Sequence, residues 1–65
     1  MSAVMIPAQY VRTGDKVWHS VAQKWCEVVE VSFLDAALRG WVRDGDMLRA
    51  YIPRKSRSDL ILVRR

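Results

Sequence analysis

Sixty-five residues form one small domain, and a hydrophobic content of 51% excludes a disordered chain. No run approaches the roughly 18 consecutive apolar residues that a membrane-spanning helix needs. The net charge is +4 and unevenly placed: residues 1–38 carry 3 cationic against 4 anionic side chains, whereas residues 39–65 carry 8 against 3. The basic second half favours an acidic partner, nucleic acid above all.

The chain has one cysteine, Cys26, and one histidine, His19. An intramolecular disulfide is therefore excluded, and a tetrahedral zinc site would need more ligands than these two supply. We expect no cofactor, a reducing cytoplasmic location, and Cys26 as a small buried apolar residue. No Ser-His-Asp or Cys-His arrangement can be built, and the carboxylates of Glu27 and Glu30 lack a second layer that would form a pocket. The chain is therefore predicted not to be an enzyme.

Gly and Pro divide the chain into short segments that are rich in β-branched and aromatic residues. The residue before Pro7 is restricted to extended conformations, and Pro53 should end a strand. Three Trp residues predict that at least one ring lies in the core. The predicted elements, in chain order, are a lead-in over residues 1–10 and five strands, KVWHS, WCEVVEVSFL, LRGWV, MLRAYI and LILVRR.

The second predicted strand does not alternate cleanly. Trp25, Val28 and Val31 recur every three residues, which also suits a helix over residues 22–39. The β-branched run VVEV and the turn residues on both sides favour a strand. A β-bulge near Val28–Val29 would reconcile the two spacings and add the bend that a small barrel needs.

The segment VRTGDKVWHSVAQKWCEVVEV resembles the opening hairpin of SH3-like small barrels, including the KOW type. In those proteins a GD.V turn and strand precede a second strand of the form W..V..V. The later DG hairpin and last strand are similar to those of such small proteins from actinobacteria and their phages. The resemblance covers residues 11–65. It implies an all-β fold, a single five-stranded barrel, and a non-catalytic module that binds nucleic acid or protein.

The chain departs from the KOW type because it lacks the glycine after the first hairpin. It also resembles a fragment of the intein and hedgehog fold. The Cys or Ser nucleophile that opens that fold has no counterpart here, so autoprocessing is not implied.

The hairpin LRGWVRDGDMLRAYI allows two registers. A two-residue Asp44-Gly45 turn would mix apolar and charged side chains on both faces. A three-residue loop ending at Gly45 in a G1 bulge would pair Val42 with Asp46 and segregate the side chains, so this register is predicted. The predicted apolar face then holds Leu38, Gly40, Val42, Leu48, Ala50 and Ile52, and the predicted outward face holds Arg39, Trp41, Arg43, Met47, Arg49 and Tyr51.

The predicted outward face interleaves arginines with aromatic rings. One interpretation is a solvated face on which the aromatic rings pack against arginine stems. The interpretation chosen here is a nucleic-acid surface, with phosphates on the cations and bases on the rings. The alternative is a protein-interaction adaptor, such as a small phage protein that binds an acidic surface of a host protein. The predicted binding residues are Arg39, Trp41, Arg43, Arg49, Tyr51, Arg54, Lys55 and Arg57.

The last predicted strand is apolar on both faces, through Leu60, Ile61, Leu62 and Val63. A strand of this kind is usually covered on both sides. The pattern therefore predicts that one face meets a second copy of the chain, with the terminal arginines protecting the strand's edge.

Overall fold

The computed structural model describes residues 2–65, and these residues form an all-β fold, as predicted. The strands are β1 (Ala3–Pro7), β2 (Lys16–His19), β3 (Lys24–Leu34), β4 (Ala37–Asp44), β5 (Met47–Tyr51) and β6 (Leu60–Arg64). They form one antiparallel sheet in the order β1-β6-β2-β3-β4-β5, which curls but does not close. Within residues 2–65 the one helix is a three-residue 3-10 turn, and none has the length and apolar character needed to cross a membrane.

The structure has six strands where five were predicted, because part of the predicted lead-in is a strand. β1 lies antiparallel to β6, with Ala3 opposite Arg64 and Pro7 opposite Leu60. Pro7 is tolerated because it ends an edge strand. The partner of β1 lies at the other end of the chain, so no turn signal nearby in sequence marks the pairing.

The bulge predicted in the second strand of the sequence is present in β3. Val28 lies opposite Val42 and Glu30 lies opposite Trp41, so Val29 is the extra residue. The helical alternative for residues 22–39 is wrong, because β3 runs without interruption to Leu34. The bulge lets Val28 point into the core while the alternation of β3 is reversed beyond it.

The turn between β3 and β4 is strained at Ala36. Leu34 pairs with Ala37, and the two turn residues, Asp35 and Ala36, have φ values of 51° and 66°. Positive φ at both central residues defines a type I′ turn, in which glycine is preferred at the second position. Ala36 has a Cβ, so its left-handed conformation costs free energy that glycine would not lose.

Ala36→Gly is therefore expected to stabilise the protein by about 1 kcal/mol, because glycine adopts this conformation without a Cβ clash. Urea unfolding followed by circular dichroism measures the change. The matched control is Ala50→Gly, at an exposed extended position, which should destabilise by roughly 0.5–1 kcal/mol. Equal effects at both positions would show that the turn is not strained.

The β4–β5 hairpin has neither of the two predicted registers. Its turn is Gly45-Asp46, with Asp44 opposite Met47 and Val42 opposite Arg49. Gly45 has φ +62° at the first central position, as in a type II′ turn. The observed partner of Val42 is Arg49, whereas the predicted partner was Asp46. The two differ by an odd number of residues, so every β5 side chain lies on the opposite face from the one predicted. The G1-bulge register is wrong.

The core lies on the concave face of the curled sheet. Its buried residues are Ala8, Val11, Val17, Cys26, Val28, Leu38, Val42, Tyr51, Ile61 and Val63. Cys26 is buried as predicted, and its burial raises the pKa of the thiol. The expectation of a core tryptophan is wrong, because Trp25 is only half-buried and Trp18 and Trp41 are exposed. The core is filled instead by aliphatic side chains and by the ring of Tyr51.

One hydrogen bond joins β2 to β5 across the concave face. The imidazole of His19, at the end of β2, is buried; its Nδ1 accepts from the Ala22 amide at 3.1 Å, and its Nε2–H donates to the Ala50 carbonyl of β5 at 2.8 Å. The loop after β5 stays beside β4, since the Leu38 amide donates to the Lys55 carbonyl at 2.8 Å. His19 thus has a structural role, and it occupies one acceptor on the free edge of β5.

Candidate functional site

Trp41 lies at the centre of the convex face of β4. It is 45% exposed, which is high for so large a ring. Arg39 and Arg43 are exposed on the same face, because side chains two residues apart on a strand point the same way. The three side chains follow one line along the strand. This part of the predicted binding surface is therefore assembled as expected.

The cations of this surface are free of carboxylate partners. The ion pairs among residues 2–65 join Lys24 and Arg49 to Asp44, and Arg65 to Asp15. The cations left without an ion pair in this part of the molecule include Arg39, Arg43, Arg54, Lys55 and Arg57. Their charge is available to an anionic ligand.

A groove of about 250 Å³ runs beside Trp41 on the convex face. Glu30 and Ser32 of β3 line one side, and Arg39 and Trp41 of β4 line the other. Ala50 of β5 and Ile52, just after β5, lie beyond them. The bulge determines this composition. In a regular pairing without a bulge, Val29 would lie opposite Trp41 and Glu30 would point toward the core. The sequence analysis did not predict Glu30 and Ser32 as site residues, because it did not consider how the bulge changes the β3 residues that lie opposite β4.

An apolar rim borders the groove on the side of β5. Leu48 and Ile52 are 53% and 54% exposed, and Leu48 also lines a depression with Trp41 and Glu30. These residues were predicted to lie in the core. The observed register places them outward with Ala50, so the convex face is more apolar than the sequence analysis predicted.

The basic loop after β5 lies beside the start of β4. An isolated bridge joins Ala37 to Ser56. Asp59 accepts hydrogen bonds from the Ser56 amide at 2.9 Å and hydroxyl at 3.1 Å, which hold its pKa below the usual value and fix the turn. The backbone of the loop thus lies next to the start of β4, and Arg54 and Lys55 are exposed.

Arg57 belongs partly to the packing of the loop. Its guanidinium lies over the ring of Phe33, 4.3 Å from the ring centroid. Phe33 is itself half-buried against the core. The charged group of Arg57 therefore makes a cation–π contact with the ring.

Arg49 does not join the convex surface. It points to the concave side, where its Nε–H donates to a carboxylate oxygen of Asp44, and Lys24 Nζ contacts the other oxygen. The hydrogen bonds from Lys24 and Arg49 lower the pKa of Asp44, and the same contact raises the pKa of Lys24. The three side chains tie β3, β4 and β5 together at one end of the sheet. The predicted outward orientation of Arg49 is wrong.

Tyr51 is also absent from the convex surface, contrary to its predicted orientation. Its ring is 8% exposed and lies 6.5 Å from the imidazole of His19, measured between centroids. Burial raises the pKa of the Tyr51 phenol to about 12. The ring fills the concave side where the end of β2 approaches β5.

The buried phenol makes stability depend on alkaline pH. The unfolded chain has the ordinary phenol pKa of about 10, so it loses this proton before the folded state does. Below about pH 10, ionisation of Tyr51 therefore does not change the free energy of unfolding. That free energy is expected to fall as the pH rises from about 10 toward 12. Urea midpoints across this range should fall less steeply in Tyr51→Phe. Parallel pH profiles for the two proteins would contradict the assignment.

A second apolar surface lies on the convex face of the other half of the sheet. Met5, Trp18, Leu60 and Leu62 are all at least 41% exposed there. On β6, Ile61 and Val63 are in the core, whereas Leu60 and Leu62 form the face that is predicted to meet a second copy. The terminal arginines do not guard an edge, because β1 covers it. Homodimerisation through Leu60 and Leu62 stays a prediction.

Among residues 2–65, no group of three His, Cys, Asp or Glu side chains is placed to hold a metal ion. Comparisons of the chain with protein-family models, curated proteins and solved structures found no significant match.

Proposed function

We propose that this protein is a non-catalytic module that binds single-stranded nucleic acid across the convex face of β4. The observation that carries the proposal is the exposed indole of Trp41, flanked on one strand face by Arg39 and Arg43. Neither arginine makes an ion pair, and Glu27 lies opposite Arg43 on β3. Exposed aromatic rings stack on unpaired bases, and neighbouring arginines contact the phosphates.

The exposed face of the indole favours an unpaired base as the ligand. The groove of about 250 Å³ lies on one side of Trp41, and the depression lined by Leu48 lies beside the same ring. A planar base can lie against the indole, whereas a paired base cannot expose its face. Single strands are therefore the preferred form.

Salt dependence tests the electrostatic part of the proposal. Neutralising four phosphates with Arg39, Arg43, Arg54 and Lys55 predicts a slope of about −2.8 for log K against log salt with a single strand. Affinity should then fall roughly 50-fold between about 50 and 200 mM salt. Fluorescence anisotropy of a labelled single strand of about eight nucleotides measures the slope. No measurable binding at the lower salt would overturn the proposal.

Replacing Arg39 and Arg43 together with Gln should make the salt slope shallower by about 1.4, since roughly 0.7 is lost for each phosphate contact. Arg54→Gln with Lys55→Gln should have a similar effect. Arg57 is left intact because it packs on Phe33. The control is Arg12→Gln, an exposed cation that lines a separate depression with Tyr10 and Arg65. An equal change of slope in the control would mean that net charge, not this surface, drives binding.

A second candidate function is recognition of a protein on the same face. The observation that favours it is the apolar rim, since Leu48 and Ile52 are more exposed than a phosphate-binding surface requires. An interface centred on Trp41 and these residues should respond weakly to salt. Arg54→Gln with Lys55→Gln would leave it nearly intact, so the charge variants distinguish the two functions.

The strand order supports assigning the fold to the SH3-like small barrels, in an open form. β2 to β5 form a meander, β6 returns to pair with β2, and β3 is bent by a bulge. β1 would then be an addition outside β6. Small β-barrels of several kinds bind nucleic acid through an exposed strand face, which agrees with the proposed site.

A further inference from the structure

Glu30 is out of place on a surface that only contacts phosphates. It is the cross-strand partner of Trp41, and the two side chains line the same groove. Directly opposed residues of an antiparallel pair have Cβ atoms roughly 4.5–5.5 Å apart. A carboxylate this close to Trp41 repels the phosphates of a strand that binds there. Among residues 2–65, no ion pair neutralises the charge of Glu30. A different role is needed for it.

We propose that the groove selects guanine: the base stacks on Trp41 and donates its N1–H and N2–H to the carboxylate of Glu30. This inference rests on the proposed function and specifies its ligand. Arg39 lies opposite Ser32, one step further along the groove, and Arg43 lies two residues beyond Trp41 on the other side. The two cations therefore flank the base where the phosphates of the same strand would pass.

The choice of guanine follows from hydrogen-bond chemistry. An ionised carboxylate only accepts, and it accepts best from two parallel donors. The Watson–Crick edge of guanine offers two adjacent N–H donors. Cytosine and adenine each place an acceptor beside their amino group, and thymine and uracil flank one N–H with two carbonyls. Guanine is the one common base that presents no acceptor within this two-donor contact.

The carboxylate also explains how the surface avoids tight binding to every strand. Repulsion between Glu30 and phosphate weakens strands that offer no donor pair, and guanine converts the same group into an attractive contact. Discrimination then comes from a penalty against the wrong ligand as well as from a gain for the right one.

The test is anisotropy titration with labelled oligothymidine strands that carry a single central guanine, adenine or cytosine, or none. One guanine avoids strand association. Guanine should bind at least roughly fivefold more tightly than the unsubstituted strand, the lower limit for a bidentate base contact. Inosine, which lacks the N2 amine, should bind more weakly than guanine. A parallel series in oligouridine distinguishes RNA from DNA as the source of the base.

Glu30→Gln should abolish the guanine preference and increase the affinity for plain oligothymidine, because the repulsion is removed. The matched control is Glu27→Gln, which makes the same charge change opposite Arg43 but outside the groove. It should keep the preference. Equal affinities of the wild-type protein for all strands would overturn the guanine assignment and leave the proposed function standing. Absence of binding to any strand would overturn both.

Discussion

Trp41→Ala is expected to weaken the binding of a single-stranded oligonucleotide by roughly 5- to 150-fold, the range for loss of one stacked base. The indole is 45% exposed and does not belong to the core cluster, so the fold should be retained. Circular dichroism and the urea midpoint verify that the variant is folded. Anisotropy titration at low salt measures the loss of affinity.

Trp18→Ala is the matched control for Trp41→Ala. Trp18 is 48% exposed and makes an edge-on contact with Trp25, with 5.9 Å between ring centroids. It lies on β2 and does not line the groove beside Trp41; it borders a separate depression on the far side of Ala50 and Ile52. Its loss should leave nucleic-acid affinity within about twofold, equivalent to surface changes of roughly ±0.5 kcal/mol. Equal losses in both variants would show that binding does not centre on β4.

Gly40→Ala is expected to destabilise the protein by about 3 kcal/mol, at the upper end of overpacking effects. A Cβ at this position would overlap the backbone carbonyl oxygen of Glu30. Backbone in the middle of a sheet cannot move aside as a flexible side chain can. Because a domain of this size is stabilised by only a few kcal/mol, a large unfolded fraction should appear in urea titration and in the circular dichroism spectrum.

Gly45→Ala separates this steric effect from backbone strain. Nothing lies within 4 Å of a Cβ built at Gly45, but its φ is +62°. The cost should therefore be about 1–2 kcal/mol, from the left-handed conformation alone. A Gly40→Ala protein as stable as the parent would contradict the close approach of β4 to the bulged β3.

Features that depend on one strand alone could be predicted from the sequence. The bulge at Val29 followed from two conflicting spacings within β3, and the placement of Arg39, Trp41 and Arg43 on one face followed from alternation within β4. Neither needed knowledge of a partner strand. The burial of Cys26 is a third example, since no chemistry competed for that residue.

Features that depend on pairing between strands were not predicted. The predicted hairpin register maximised the separation of apolar and charged side chains. The observed register leaves Leu48 and Ile52 exposed. In exchange, Tyr51 is buried beside His19 and Arg49 forms an ion pair with Asp44. The contact of Tyr51 with His19 joins strands that are distant in sequence, and β1 was not predicted for the same reason.

The central claim is tested most directly by intrinsic tryptophan fluorescence during titration of the wild-type protein with a mixed-sequence single strand at low salt. The account predicts saturable quenching at micromolar concentrations, reversed by added salt and absent in Trp41→Ala. A duplex of the same sequence should quench less. Unchanged fluorescence with the single strand at low salt would contradict nucleic-acid binding at β4, and it would leave protein recognition as the function of this face.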